Sequence, residues 1–389
     1  MKILRIIGSV DQRFGGPIES LLRTAEEMRN QGHQTTVASL DPPDAQYLRS
    51  FPFEVHALGQ RGMRSRVRYS TTFVSWLRRH AGQYDVAIVE GLWNYSSVGT
   101  WMGLAKQIPY VVFAHGMLDP WFRKANPTKH FVKRIYWHLA EGRVLRDARY
   151  VLFTCDEERR LARQSFHGHS YRERVVAFGT ADVPKIDETR HPSFRKLVPK
   201  LEDRDYLLFL GRIHPKKGCD ILVRAFGAIA SEFKELDLVI AGPDQVNWRQ
   251  ALELEAGRLG VSSRIHWPGM LTGDAKWDAF RGAMAFVLPS HQENFGIAVA
   301  EALACEVPVL ISNKVNIWRE IEASGCGLVA EDTEAGTVSC LQQFLRLDSA
   351  NKARMRQLAR TCFLKQFEVK RAAEDLTSVL TEILSDETS

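Results

Sequence analysis

Residues 285–312 read AFVLPSHQENFGIAVAEALACEVPVLIS, and the pattern of apolar residues in this stretch predicts the fold class. The apolar run at 285–290 predicts a buried strand, 297–305 predicts a helix, and 307–312 predicts a second buried strand. A strand, a helix and another strand in this order are typical of a parallel sheet, because parallel neighbours need a crossover connection. The segment therefore predicts one βαβ unit of a doubly wound α/β domain.

The same alternation of strands and helices runs through both halves of the 389-residue chain. We predict further strands at 2–10, 34–40, 84–90, 109–115, 150–154, 174–179, 206–212, 236–242 and 264–269. Residues 180–205 contain prolines and many charges without periodicity, which is typical of a connection between domains. We expect an N-terminal domain at 1–185, a C-terminal domain at 200–365, and a helix at about 366–389 that can pack back on the first domain.

Composition places the chain among ordinary globular proteins, with 45% hydrophobic and 25% charged residues. No apolar run reaches the length of a membrane span, and the start MKILRIIGSV is too short for a signal peptide. The six cysteines are scattered and form no CxxC pair, which argues against zinc and favours reduced thiols. We therefore expect a cytoplasmic protein that can associate with the inner face of a membrane.

The charge is distributed unevenly along the chain. Residues 1–190 carry a net charge of +9, whereas the remaining residues carry −3. A basic half is consistent with an anionic partner such as a phosphate or a membrane surface. Ordinary solvated surface charge explains the same count equally well.

Two glutamates, Glu293 and Glu301, stand eight positions apart in the opening stretch. Gly296 falls near the predicted helix N-terminus, where free backbone N–H groups suit a phosphate. Glu293 would precede that site on the loop, and Glu301 in the helix could accept a hydrogen bond from a sugar hydroxyl. The spacing alone also fits a solvated loop charge and a polar helix face.

The whole of 285–312 resembles the E-x7-E segment of retaining, family 4 glycosyltransferases with the GT-B fold. The resemblance implies two Rossmann-like doubly wound α/β/α domains that face each other across a cleft. It also implies that Glu293 contacts the transferred sugar and that Glu301 holds the ribose. The residues Asn294, Phe295, Gly296 and Ile297 would then line the donor diphosphate.

A second motif, GRIHPKKG at 211–218, follows the first strand of the second half. Arg212 and Lys217 at a strand end could clamp a diphosphate and stabilise a departing nucleotide. Basic loop residues are often simply solvated, and Lys216 is an alternative to Lys217. The motif resembles the G-R-x-x-x-x-K-G signature of the same family, which implies a donor-binding role for Arg212 and Lys217.

Two N-terminal motifs also follow strands. Gly15 and Gly16 precede a predicted helix and could admit a phosphate closely, although a plain loop–helix junction explains them as well. His115 lies in FAHGMLDPW (113–121), and a single histidine is more often structural than catalytic. By resemblance, His115 approaches the reacting sugar, and HGMLDPW is similar to exopolysaccharide-assembly members. Asp119 and Trp121 would then line the acceptor side.

The remaining matches to the family are weaker. Gly242 in IAGPD (240–244) resembles the glycine after the second strand of the C-terminal domain. Gly269, Met270 and Leu271 in HWPGML (266–271) resemble a loop whose backbone meets the nucleotide base. The chain departs from the family at Phe178, where an asparagine is common, and this puts any contact made by that asparagine in doubt.

The stretch 121–146 combines Lys and Arg with Trp, Phe and Tyr. Such a segment could lie on an anionic membrane or hold a pyrophosphate-linked lipid acceptor. An ordinary surface helix with a buried aromatic stripe fits the same pattern. We do not expect nucleic acid to be a partner.

The sequence thus predicts a retaining transferase that moves a sugar, with UDP-glucose as the first donor to consider, to a polysaccharide or lipid-linked hydroxyl. The resemblance implies that no cofactor or metal is needed, because Arg212, Lys217 and the helix start take that role. A sugar-nucleotide epimerase of similar shape and a non-catalytic nucleotide-sugar binding protein remain alternatives. A nicotinamide dehydrogenase is disfavoured, since the chain lacks the G-x-G-x-x-G fingerprint there.

Overall fold

The computed structural model describes residues 1–60, 69–121, 123, 127–184 and 193–388. The chain divides into two compact units, the first formed by Met1–Gly179 together with Val369 onward and the second by Thr180–Glu368. Residues 61–68, 122, 124–126, 185–192 and 389 lie outside the description, so the basic stretch 121–146 and the predicted connection 180–205 are described only in part.

The first unit contains a parallel sheet in the order β3-β2-β1-β4-β5-β6-β7. Its strands are β1 (Lys2–Ile7), β2 (Gln34–Ser39), β3 (Glu54–Ala57), β4 (Val86–Glu90), β5 (Tyr110–Phe113), β6 (Val151–Phe153) and β7 (Glu173–Val175). Its helices include Gly16–Asn30, Phe73–His80, Tyr95–Leu104, Pro127–Tyr136, Gly142–Asp147, Asp156–Ala162 and Val369–Thr388. A π-helical turn, Trp137–Glu141, joins the fourth and fifth of these helices.

Both faces of this sheet are covered, which explains why β1 is almost continuously apolar. Ile3 belongs to a core cluster with Leu376 of the C-terminal helix, which therefore packs on the first unit. Leu4, the next residue, points to the opposite face and belongs to a cluster with Phe73 and Leu77. The alternation of side chains along a strand thus places one helical layer on each side of the sheet.

The second unit repeats this architecture with a parallel sheet in the order β10-β9-β8-β11-β12-β13. Its strands are β8 (Asp205–Leu210), β9 (Leu236–Ala241), β10 (Ile265–Gly269), β11 (Ala285–Leu288), β12 (Val309–Ser312) and β13 (Gly327–Ala330). Its helices include Ser193–Leu197, Cys219–Ile229, Arg249–Arg258, Gly273–Arg281, Ile297–Ala304, Trp318–Ser324, Glu334–Leu345 and Ser349–Cys362.

The two parallel sheets confirm the doubly wound α/β prediction. The differences concern two strands that were not predicted and the ends of two others. Strands β3 and β13 were not predicted, because both are short edge strands whose side chains are mostly half-buried. Strand β1 ends at Ile7 instead of residue 10, and β7 occupies Glu173–Val175 instead of 174–179. None of the helices in the described ranges has the length and apolar character to span a bilayer.

The strand order determines where each unit can bind a ligand. In the second sheet the order reverses between β8 and β11, so the loops after these strands leave in different directions and open a crevice. In the first sheet the reversal lies between β1 and β4. The motifs at 211–218 and 290–301 follow β8 and β11 directly, which places both at the switch point of the second unit.

Candidate functional site

The loop after β8 is held against the loop after β11 by hydrogen bonds to one backbone carbonyl. The Lys216 carbonyl accepts from the Ser290 hydroxyl at 2.9 Å and from the His291 backbone N–H at 2.9 Å. The Lys216 N–H in turn donates to the His214 ring nitrogen at 3.1 Å. These contacts fix the short turn Pro215–Lys217 and therefore the direction of the Lys217 side chain.

Gly218 allows the two loops to approach this closely. It has a left-handed conformation, with φ of 69°, and a Cβ placed on it would lie 2.1 Å from the Pro289 carbonyl oxygen. Any side chain at this position would therefore both strain the backbone and push the two loops apart. Glycine is required here because the loop after β8 lies directly against the backbone of Pro289 after β11.

We expect Gly218→Ala to lower the free energy of unfolding by about 2–4 kcal/mol, because it adds a backbone clash to left-handed strain. Gly260→Ala is the matched control, since Gly260 has nearly the same φ of 71° but nothing within 4 Å of its Cβ position. The control should lose about 1 kcal/mol. Equal losses in urea denaturation of the two variants would contradict the packing role of Gly218.

Lys217 and Glu293 form an ion pair at the strand ends of the second sheet. Both side chains are largely buried, with exposed fractions of 15% and 19%. Burial, together with the nearby charges of Lys216 and Arg212, lowers the pKa of Lys217 to about 7. The two neighbouring cations repel the Lys217 ammonium group, so an added anion would stabilise its charged form.

Backbone hydrogen bonds fix Glu293 on its loop. Its N–H donates to the Lys314 carbonyl at 2.9 Å, and its carbonyl accepts from the Asn316 N–H at 2.9 Å. The Asn316 side-chain amide also donates to the Asn294 side-chain oxygen at 3.2 Å. The loop after β12 thus braces the loop after β11, and the carboxylate of Glu293 is preorganised.

The helix Ile297–Ala304 begins directly after this loop, with Gly296 as its N-cap. Gly296 has φ of 77° and provides no side-chain cap, and its carbonyl accepts the Val299 N–H at 2.8 Å. The N–H groups of Ile297 and Ala298, which have no partner within the helix, can donate to a ligand. Phe295 is buried and packs edge to face on Phe367, with ring centroids 5.6 Å apart. This packing orients the helix start, which carries the positive end of the helix dipole.

Glu301 lies inside this helix and is 4% exposed. Its carboxylate accepts a hydrogen bond from the Lys276 ammonium at 2.8 Å, and that ammonium lies 4.2 Å from the centre of the Trp277 ring. The sequence did not predict the contact with Lys276. The proposed ribose-binding role of Glu301 stays a prediction.

Arg212 is exposed, and its guanidinium contacts the Gln245 side-chain oxygen at 3.2 Å. Gly242 follows β9, and a Cβ there would lie 1.7 Å from the Gly211 carbonyl oxygen, so the loops after β8 and β9 are closely packed. Gly269 ends β10; after it Met270 is 69% exposed and Leu271 is buried. These residues therefore lie at the same sheet edge as Lys217 and Glu293.

In the first unit, Gly15 is the N-cap of the helix that begins at Gly16. Gly15 has φ of 77°, and neither glycine has an atom within 4 Å of its Cβ position. Asp119 is buried, and its carboxylate accepts the backbone N–H of Trp121 at 2.8 Å. The structure places these residues after β1 and β5, and their proposed roles stay predictions.

His115 belongs to a buried charge cluster that the sequence did not reveal as such. Its Nε2 lies 2.7 Å from the Glu90 carboxylate, and Glu90 also pairs with Arg5. Burial alone would raise the pKa of Glu90, but Arg5 and the hydrogen bond from His115 outweigh burial and hold the pKa below its usual range. A charged residue at the centre of the apolar strand KILRIIGSV is the signal that could have indicated this cluster.

Two aromatic rings fix the orientation of His115. Its ring stacks on Phe113 with centroids 5.3 Å apart and meets Phe178 edge-on at 6.3 Å. His115 also has a positive φ of 47°. Phe178, the position at which the chain departs from the family pattern, therefore packs against the histidine.

Glu141 ends the π-helical turn and is completely buried. Its carboxyl accepts from the Ser97 hydroxyl at 3.1 Å, with the Trp93 backbone and Lys133 also nearby. Burial outweighs these favourable contacts and raises the pKa of Glu141 to about 7. The folded protein therefore holds this proton to a higher pH than the unfolded chain does.

This raised pKa makes stability fall as pH rises from about 4.5 to 7, because the folded state binds the extra proton in that range. Glu141→Gln removes the titrating group and should stabilise the protein by on the order of 3 kcal/mol above pH 7, with little effect near pH 4. Denaturation at several pH values measures this difference. The control variant Glu26→Gln, in which an exposed partner of Arg29 is replaced, should show no pH-dependent change in stability. A pH-independent effect of Glu141→Gln would contradict the raised pKa of Glu141.

Among the residues that the structure describes, no three His, Cys, Asp or Glu side chains group as a metal site. The expectation that the reaction needs no metal or cofactor stays a prediction. What the structure brings together in the second unit is a cation, a carboxylate and a helix start within one crevice. This combination can hold an anionic group and a neighbouring sugar hydroxyl.

Comparisons with known proteins agree with this organisation. The family model of glycosyl transferases group 1 matches residues 191–361, and that of the glycosyl transferase 4-like domain matches residues 15–179. D-inositol 3-phosphate glycosyltransferase from Geodermatophilus obscurus is 28% identical over 201 residues, which cover 50% of this chain and 44% of that protein. An uncharacterized glycosyltransferase from Methanocaldococcus jannaschii is 35% identical over 121 residues, or 31% and 30% of the two chains. These matches span less than half of either relative.

Solved structures resemble the chain over its whole length. HepE from Anabaena, solved in complex with UDP and glucose, has a TM-score of 0.76 at 16% identity, covering 98% of this chain and 100% of that one. Sucrose-phosphate synthase from Thermosynechococcus elongatus has a TM-score of 0.77 at 18% identity, covering 99% and 100%. At these identities the likeness establishes a shared fold.

Proposed function

The chain belongs to the group 1 glycosyl transferases and has the GT-B fold, and on this basis we propose that it transfers a sugar from a nucleotide-diphosphate donor to an acceptor hydroxyl. The donor considered first is UDP-glucose, which HepE from Anabaena binds in a solved structure. The acceptor is a polysaccharide or a lipid-linked saccharide. The anomeric configuration of the sugar is retained.

The observation that carries this proposal is the ion pair of Lys217 and Glu293 beside the uncapped helix start at Gly296. The helix start offers N–H groups and a positive dipole end to the diphosphate, and Lys217 with Arg212 adds two cations from the neighbouring loop. Glu293, fixed by its backbone, is then next to the sugar that follows the diphosphate. One crevice thus supports the diphosphate and the transferred sugar of a nucleotide-sugar.

The reaction breaks the bond between the sugar carbon and the diphosphate oxygen, and the electron pair goes to that oxygen. The acceptor oxygen forms a new bond to the same sugar carbon, and the proton of the acceptor hydroxyl passes to the departing diphosphate. Lys217, Arg212 and the helix N–H groups stabilise the developing negative charge, which is the largest electrostatic demand of the step. Glu293 positions the sugar and stabilises positive charge that develops on its ring. His115, oriented by Glu90, contacts the transferred sugar in this proposal.

The basic stretch 121–146 supports a lipid-linked acceptor and peripheral contact with an anionic membrane. In its described part, Phe131, Val132, Ile135 and Leu139 are exposed apolar residues, each at least 50% exposed. Exposed apolar residues beside Lys and Arg are characteristic of helices that lie in a membrane interface. Neither nucleic acid nor a metal is part of the proposal.

A thermal-shift panel of UDP-, GDP- and ADP-sugars tests the donor. The correct donor at about 100 times its dissociation constant should stabilise the protein by roughly 2.7 kcal/mol. Transfer to an acceptor with release of the nucleoside diphosphate would support the transferase. Isomerisation of the donor without acceptor would instead identify an epimerase, and binding without turnover would identify a non-catalytic binding protein.

A further inference from the structure

The first unit contains a pocket of about 720 Å³ beside the loop after β4. Its wall is formed by that loop and by one side of the helix Pro127–Tyr136. Its lining includes Trp93, Tyr95, Tyr136, Val132, Lys129 and Lys133. The pocket therefore combines aromatic rings, an aliphatic side chain and two lysines.

The helix that walls this pocket presents an apolar face to the outside. Phe131, Val132 and Ile135 are 62%, 64% and 50% exposed, and no residue of the helix is buried. Residues at these spacings share one side of a helix. Of these residues Val132 also lines the pocket, so the exposed apolar face continues into it.

Lys133 brings a positive charge into the aromatic lining of the pocket. Its ammonium lies 4.4 Å from the centre of the Trp93 ring. Burial, followed by repulsion from Lys129, lowers the pKa of Lys133 to about 8. A phosphate in the pocket would lie beside the two lysines and accept charge-assisted hydrogen bonds from their ammonium groups.

A strained residue and an irregular helical turn lie beside the pocket. Trp93 has a positive φ of 67°, and its indole N–H donates to the Met117 carbonyl at 3.0 Å. The π-helical turn Trp137–Glu141 follows the pocket helix directly. Such turns and strained residues concentrate at functional sites.

We propose that this pocket binds a lipid phosphate, with the phosphate at Lys129 and Lys133 and the hydrocarbon chain against Trp93, Val132 and the exposed apolar face. The proposal rests on the proposed function, because it identifies the pocket as the place where a lipid-linked acceptor is held. A neutral saccharide would use the aromatic rings but not the two lysines. General attraction to an anionic membrane would use the surface charge but not the half-buried Lys133.

Calorimetric titration of the full chain with geranyl phosphate tests the proposal, with geraniol and inorganic phosphate as the two partial ligands. Lys133→Gln is the test variant and Arg134→Gln is its matched control, since Arg134 is exposed on the same helix and lies outside the pocket lining. Both substitutions remove one positive charge. Thermal denaturation of each variant checks that it is folded.

We expect geranyl phosphate to bind at least tenfold more tightly than either geraniol or inorganic phosphate, since it alone has both parts. Lys133→Gln should weaken its binding about tenfold or more, and Arg134→Gln less than twofold. Equal losses in the two variants would assign binding to diffuse surface charge and overturn the proposal. Equal binding of inorganic phosphate, or no binding of geranyl phosphate, would also overturn it.

A second measurement separates this proposal from the proposed function. UDP binding to the wild-type chain is titrated in the same buffer without lipid. If UDP binds and geranyl phosphate does not, the pocket assignment fails and the transferase proposal stands. If UDP and the other nucleotide diphosphates do not bind, the transferase proposal fails whatever the pocket binds.

Self-association through the exposed helix face would appear as a concentration-dependent dimer that geranyl phosphate does not dissociate. This result would assign that face to a second copy of the chain and overturn the lipid-phosphate proposal.

Discussion

Lys217→Ala should reduce the turnover number of the transfer reaction about 10²- to 10³-fold, the range seen when one group that stabilises developing charge is removed. The substitution also leaves the Glu293 carboxylate largely buried without its cation. That carboxylate would then repel the diphosphate, so the donor should bind more weakly as well. Steady-state kinetics with saturating acceptor measures both effects.

Lys216→Ala is the matched control, because Lys216 is the adjacent lysine and the same charge is lost. Its backbone carbonyl, which joins the two loops, is unchanged by the substitution. We expect a change of about threefold or less. Comparable losses in the two variants would mean that the loop acts only through its total charge.

The lowered pKa of Lys217 supplies an independent check on the same variant. Donor affinity of the wild type should weaken as pH rises above about 7, because the ammonium then loses the proton that attracts the diphosphate. Lys217→Ala should lack this pH dependence. An identical pH profile in the two proteins would contradict the titration of Lys217 near pH 7.

Glu293→Gln should lower the turnover number about 10²- to 10³-fold while the donor still binds. The amide keeps the size of the side chain and the backbone hydrogen bonds that fix the loop. It loses the negative charge that we place beside the transferred sugar. Loss of donor binding in equal proportion would instead assign Glu293 a role in binding alone.

Glu301→Gln is the comparison variant for Glu293→Gln, because it removes the second carboxylate of the same motif. We expect the KM for the donor to rise about 10- to 100-fold, since a charged hydrogen bond to a hydroxyl is lost, while the turnover number changes little. The substitution also removes the partner of Lys276. A thermal denaturation of the variant separates that structural effect from the effect on binding.

The sequence predicted the elements of the fold well where the chain is apolar on both sides of a strand. Strands such as Val86–Glu90 and Leu236–Ala241 are buried along their whole length, so their composition is unambiguous. The same reasoning predicted that the motifs at 211–218 and 290–301 directly follow strands. The short edge strands were missed, because half-buried segments such as Glu54–Ala57 have no continuous apolar run.

Contacts between distant residues could not be predicted in the same way. The pairs Lys217–Glu293 and His115–Glu90 join positions 76 and 25 residues apart, and only the folded sheet brings them together. The sequence singled out Lys217, Glu293 and His115 through a family resemblance but gave no reason to connect them with Glu90 or Arg5. Likewise, Glu141 reads as a surface charge in its helix and is in fact completely buried.

The most direct test is a crystal structure of the chain with UDP-glucose or the donor selected by the thermal-shift panel. The account predicts that the diphosphate lies against the backbone N–H groups after Gly296, with the Lys217 ammonium and the Arg212 guanidinium on its other side. It also predicts the sugar at Glu293 and the ribose at Glu301. A diphosphate bound away from Gly296 and Lys217 would contradict the account.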